Sequence, residues 1–128
     1  MPPPSAGDPE AARTLATVQA FNAAFNRHDV AAIMAMMTED CLFDSTRPPP
    51  DGECLVGHEP VRRFWEGFFT RSPSARFETE EEFAAGDRAV VRWVYHWVRD
   101  GVPGHVRGVD LFQVRGGRVA EKRSYVKG

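Results

Sequence analysis

The stretch from 88 to 126, RAVVRWVYHWVRDGVPGHVRGVDLFQVRGGRVAEKRSYV, constrains this chain more than any other. Large apolar side chains alternate there with polar ones, and turn-forming residues interrupt the run at Arg99-Asp100-Gly101 and Gly116-Gly117, which predicts three long antiparallel strands. Val91, Trp93, Tyr95 and Trp97 share one face of the first strand, and Val106, Gly108, Asp110 and Phe112 share one face of the second. Where those faces coincide, a carboxylate sits inside an aromatic wall. A buried carboxylate without a partner loses stability or takes up a proton, so Asp110 requires a compensating group. The last hairpin offers one in either of two registers. A three-residue Arg115-Gly116-Gly117 loop puts Lys122 across from Asp110, and a two-residue Gly-Gly turn puts Arg123 there. An adjacent base favours the ionised acid, suited to accepting a proton or orienting a polar group.

The remainder reads as one domain, residues 11–128, behind a proline-rich segment, 1–10, expected to be a disordered tail. Leu15, Val18, Phe21 and Phe25 recur at helical spacing between about residues 10 and 27. Asp29 is placed to cap a second helix in which Val30, Ile33, Met34 and Met37 form one face. Cys41 to Ser45 reads as a short strand, Thr46 to Gly57 as a rigid proline-rich loop, His58 to Arg71 as a third helix and Phe77 to Phe83 as a strand. This order predicts an α+β domain, a curved antiparallel sheet with three N-terminal helices packed on its concave face, and such a sheet closed by helices leaves a pocket.

Several functions are disfavoured. A net charge of -2 with no basic block argues against nucleic acid as a partner. No apolar run approaches the roughly 20 residues that span a bilayer, and MPPPSAGDPE lacks the features of a signal peptide, so no membrane partner and a cytoplasmic location are expected. Cys41, Cys54 and the four histidines show no ligand spacing, which leaves no metal implied.

Three strings, HDVAAIMAMMTEDCLFD (28–44), GHEPVRRFWEGFF (57–69) and RGVDLFQVRGGRVAEKRSYV (107–126), together with the element order, resemble the nuclear-transport-factor-2-like superfamily and its SnoaL-like, polyketide cyclase-like branch. The resemblance runs from about Leu15 to Lys127 and implies a cone with a hydrophobic pocket at its wide end. Ketosteroid isomerases of that superfamily use a tyrosine, an aspartate base and a protonated late aspartate. The matching positions here are Phe21, Ser45 and Asp110, so only the last is kept. Its epoxide hydrolases need an Arg and two Asp where this chain has Val91, Trp93 and Ser124. The SnoaL-like cyclases imply an acid/base aspartate in an apolar pocket and no cofactor.

The expected function is that of a small-molecule pocket protein, with a cofactor-free acid/base enzyme of cyclase or isomerase type acting on a small apolar cyclic or polyketide-like compound as its leading form. Asp110 is the candidate base or orienter and Lys122 the group that sets its charge. Trp65, Phe69, Trp93, Tyr95 and Trp97 are candidate walls of the pocket. Phe21, Phe43, Ser45, Phe112 and Ser124 complete the expected ligand contacts. The alternative is a non-catalytic ligand-binding or assembly module in which the pair at Asp110 only fixes strand register. On the opposite sheet face, Val94, Val98, Val109, Leu111 and Tyr125 predict a homodimer formed sheet to sheet.

Overall fold

The structure, a computed structural model, describes residues 8–128. Three helices, α1 (Pro9–Asn26), α2 (Val30–Ala35) and α3 (His58–Arg71), combine with six strands, β1 (Met37–Asp44), β2 (Cys54–Val56), β3 (Arg76–Ala85), β4 (Arg88–Arg99), β5 (Val102–Arg115) and β6 (Arg118–Val126). The strands form one curved, unclosed sheet in the order β2-β1-β6-β5-β4-β3. Neighbours are antiparallel except β1 and β6, which run parallel. The fold is therefore α+β, with one parallel joint in a sheet expected to be wholly antiparallel.

Local chemistry accounts for the helix starts. Asp8 accepts a hydrogen bond from the Glu10 backbone N–H at 3.0 Å, and Asp29 accepts one from Ala32 at 3.1 Å, so each satisfies a donor the first turn leaves free. Helix α1 begins at Pro9, which places the end of the expected tail inside the first helical turn; residues 1–7 of that tail lie outside the described residues. Helix α2 stops at Ala35, and Met37, expected on its apolar face, instead opens β1 opposite Val119. The Val119 N–H donates to Met36 O at 2.7 Å: a sheet partner from the far end of the chain overrides the local helical period. The proline-rich loop also contains β2, whose three residues pair with Leu42, Phe43 and Asp44.

Helices α1 and α3 lay Val18, Phe21, Phe25, Val61, Trp65 and Phe69 over the inner sheet face, where they meet Phe43, Val91, Trp93 and Phe112. Phe21 stands edge-on to both Trp65 and Phe112, at ring separations of 5.9 and 5.8 Å. At the other end of α1, Thr14 donates to Gly86 O at 2.7 Å, tying the helix to the β3–β4 turn.

Candidate functional site

The β4–β5 register sets Val91 across from Asp110 and Trp93 across from Gly108, so the two faces read from the sequence do coincide. The β5–β6 register corrects the hairpin expected above, because neither Lys122 nor Arg123 lies across from Asp110. A two-residue Gly116-Gly117 turn, both glycines with positive φ, pairs Arg115 with Arg118. A bulge then inserts Ala120 into β6, which moves the pairing by one and brings Ser124 opposite Asp110. Without that extra residue Arg123 would face inward; with it, Lys122 and Ser124 do.

The result is a compact polar cluster in an apolar interior. The Ser124 hydroxyl donates to Asp110 Oδ1 at 2.6 Å, and Lys122 Nζ lies 3.3 Å from Asp110 Oδ2. Lys122 also donates to Ser124 Oγ at 3.2 Å, which closes the triangle. Both charged side chains are more than nine-tenths buried. The Lys122 ammonium further sits over the rings of Phe43 and Phe25, 4.9 and 5.3 Å from their centroids, where the ring quadrupoles favour a cation. Trp93 is fixed differently. Its six-membered ring lies across Gly108, so close that a Cβ there would meet ring carbon Cη2 at 2.4 Å. The buried indole N–H of Trp93 finds no hydrogen-bond acceptor among the described residues.

Asp110, Lys122 and Trp93 line a cavity of about 20 Å³, together with Asn22, Phe25, Asn26, Phe77, Thr79 and Val91. That volume admits one water-sized atom. Its outer wall is the seam between α1 and β3, where the Asn26 side chain both donates to Phe77 O and accepts from Phe77 N at 2.8 Å, and Gln19 donates to Glu82. The arrangement sets an acceptor and a cation on the lining of a space one water-sized atom across, with apolar walls that strengthen each electrostatic contact.

The other residues expected at the site are distributed through the interior. Phe21, Trp65 and Phe112 are packed against one another with almost no exposed surface, and Phe43 lies beneath the Lys122 ammonium. Phe69 packs on Phe25 and stacks with His28, and the two border a shallow outer depression. Tyr95 stacks on Phe77 at 4.7 Å, and Trp97 covers Gly104 near the end of β4. Ser45 is buried beyond β1, where its N–H bonds Glu53 O and its hydroxyl accepts from Arg47 N. The expected ring of aromatic walls thus encloses mostly other aromatic side chains, because the α1 and α3 phenylalanines fill the cone. Asn22, Asn26 and Thr79 had not been expected at the site. The signal for the first two was their i, i+4 spacing beside Phe21 and Phe25 on α1.

On the other sheet face, Arg123 bonds Asp44 at 3.3 Å and Glu121 at 3.2 Å. Partial burial opposes the charge of its guanidinium, but those two carboxylates outweigh it and the net pKa shift is upward. Among the described residues no group of three or more His, Cys, Asp and Glu is placed to hold a metal ion, and no helix is long and apolar enough to cross a membrane.

Residues 18–122 match the family model described as the SnoaL-like domain. The chain belongs to the SnoaL-like family. Among solved structures, this SnoaL-like chain is similar to an NTF2-like protein of unknown function from Mesorhizobium loti, with 38% identity, 94% of this chain and 96% of that one covered, and a TM-score of 0.81. It also resembles a putative polyketide cyclase from Xanthomonas campestris pv. campestris, 23% identical over 92% and 93% of the two chains at a TM-score of 0.77. A third similar structure is a Mycobacterium tuberculosis protein in complex with estradiol-17beta-hemisuccinate, 25% identical over 88% and 92% at a TM-score of 0.74. No curated protein matches the chain by sequence. The fold is thus that of the NTF2-like proteins, whose members include ones crystallised with small molecules.

Proposed function

We propose that this SnoaL-like chain is a cytoplasmic small-molecule pocket protein that works as a cofactor-free acid/base catalyst of cyclase or isomerase type on a small apolar, cyclic or polyketide-like compound. The observation that carries the reading is the buried Asp110, Ser124 and Lys122 cluster beside the unpartnered Trp93 N–H in an otherwise apolar interior. Asp110 accepts a proton from the ligand or orients one of its polar groups, and Lys122, 3.3 Å away, supplies the counter-charge in the apolar interior. A ligand larger than one atom enters by parting α1 from β3 at Asn22, Asn26 and Thr79. The steroid ester held by the Mycobacterium tuberculosis relative supports a flat apolar ligand as the class to try first.

The test is mass spectrometry of the compound that co-purifies with the protein, followed by its incubation with wild type and with Asp110→Asn. Turnover by wild type and its loss in a variant that still folds by circular dichroism is the expected result; unchanged binding and turnover in Asp110→Asn would sink the reading. The filled interior favours a second reading, a non-catalytic binding or assembly module whose ion pair serves the fold. Under that reading the compound is held and never altered.

We further propose a homodimer through the outer sheet face, where Val98, Leu111 and Tyr125 are exposed and Val109 is half-buried. Val94, expected to join them, is already buried within the chain. Sedimentation equilibrium at micromolar concentration should give twice the chain mass, and Leu111→Glu should return it to one; a wild-type monomer refutes the dimer.

A further inference from the structure

Lysine is rare in this chain. Lys122 and Lys127 stand against fourteen arginines, so the chain meets almost every need for positive charge with guanidinium. A buried ion pair is also where arginine has the advantage, since its planar fork meets a carboxylate through two bonds and is less strongly hydrated. Yet the cation placed against Asp110 is a primary amine. What an amine offers and a guanidinium does not is a nitrogen that gives up its proton and becomes a nucleophile.

We propose that Lys122 is a carbonyl-capturing amine that forms an iminium with a small apolar aldehyde or ketone in the cavity. The inference rests on the reading of that cavity as a ligand site and adds a covalent role to it. The Lys122 ammonium first passes a proton to Asp110 Oδ2, 3.3 Å away, or by way of Ser124, whose hydroxyl bonds both groups. The freed nitrogen pair attacks the carbonyl carbon, forming the C–N bond, and a proton moves from nitrogen to the former carbonyl oxygen. Protonated Asp110 then delivers its proton to that hydroxyl, the C–O bond breaks, water leaves and the nitrogen pair closes the C=N bond. The balance is ammonium plus carbonyl giving iminium plus water, with no oxidant or reductant.

The site suits each stage. A cation and a carboxylate are present at the start and at the end, so no net charge is added to the interior. The faces of Phe25 and Phe43 that hold the ammonium hold an iminium on the same nitrogen equally well. Trp93 lines the same cavity, and its indole N–H, which has no acceptor among the described residues, is a donor that the carbonyl oxygen can engage once the ligand is admitted.

The experiment treats the folded full-length protein with graded benzaldehyde and cyanoborohydride at neutral pH and maps benzylation by peptide mass spectrometry. Lys127 is the control within the same molecule. Lys122 should reach half-labelling at a benzaldehyde concentration at least tenfold lower than Lys127, and the preference should disappear in 6 M guanidinium chloride. Lys122→Arg should be labelled only at Lys127 and the amino terminus. Labelling of Lys122 no earlier than Lys127 in the folded wild type overturns the proposal, whether or not the variant folds. Ligand-observed NMR with benzyl alcohol, of similar shape but without a carbonyl, separates the two readings. Binding of the alcohol with no preference for Lys122 removes the amine role and leaves the pocket standing, whereas absence of both removes both.

Discussion

The two faces of the sheet carry ion pairs of the same length in different surroundings: Lys122 Nζ to Asp110 Oδ2 at 3.3 Å inside, and Arg123 Nη1 to Asp44 Oδ2 at 3.3 Å outside. The inner side chains are 7% and 6% exposed, the outer ones 35% and 25%. Outside, water screens the attraction and compensates whichever partner is removed. Inside, the charge left behind keeps neutral neighbours such as the Ser124 hydroxyl but no counter-charge, so a pair that adds little net stability becomes costly to halve. The outer face spreads its charges over several contacts, with Arg92 and Arg107 both on Glu80, whereas the inner face concentrates its charge on one acid and one amine.

The sharpest way to break this contrast is to remove one inner partner. Asp110→Ala or Lys122→Met should lower the unfolding free energy by about 3–5 kcal/mol in denaturant titrations, and the double change Asp110→Leu with Lys122→Met should recover most of it. A single-variant loss below about 1 kcal/mol would mean that water reaches the cluster and the two faces are alike. Next in size is Gly108→Ala, whose Cβ would strike the Trp93 ring and Tyr125 O at 2.4 Å. Overpacking of that kind costs about 1–3 kcal/mol, and the Trp93 indole N–H resonance should move with the ring. On the outer face, Arg123→Ala should cost about 1 kcal/mol or less, and the loss should shrink further in molar salt.

The smallest effect separates the two thiols. Burial pushes the Cys41 thiol pKa up, while Cys54 is exposed on β2. A thiol reagent should therefore titrate Cys54 alone in the folded protein. Because the folded pKa of Cys41 is the higher one, its contribution to stability is complete below the unfolded thiol range and is lost as pH rises through the folded value. Stability that rose with pH across that window would contradict the burial of Cys41.

Long periodic segments were legible in the sequence because their burial follows a single face: α1, α3 and the strands β4, β5 and β6 lie where apolar spacing puts them. Features decided by partners distant in the chain were not. Met37 leaves its helix for Val119, and Leu55 pairs with Phe43 out of a stretch whose prolines read as loop. Asp110 and its aromatic surroundings were visible, as was a nearby base. Ser124 as its direct partner was not, because the bulge at Ala120 has no local signature. The size of the cavity was beyond reach as well, since it is the remainder left by Phe21, Phe25, Trp65 and Phe112 packing together.

The parallel joint between β1 and β6 pairs Met37 with Val119 and Phe43 with Lys122, so an early strand can complete its ladder only when the last strand arrives. Closing a loop of that length carries an entropic cost before any contact repays it, and such topologies fold slowly. During synthesis from the amino terminus, the helices and β3 to β5 emerge while Asp110 still lacks its amine. The cluster is therefore an event of completion: the docking of β6 finishes the sheet and brings in Lys122 and Ser124, and a chain stopped short of them would lack the site altogether.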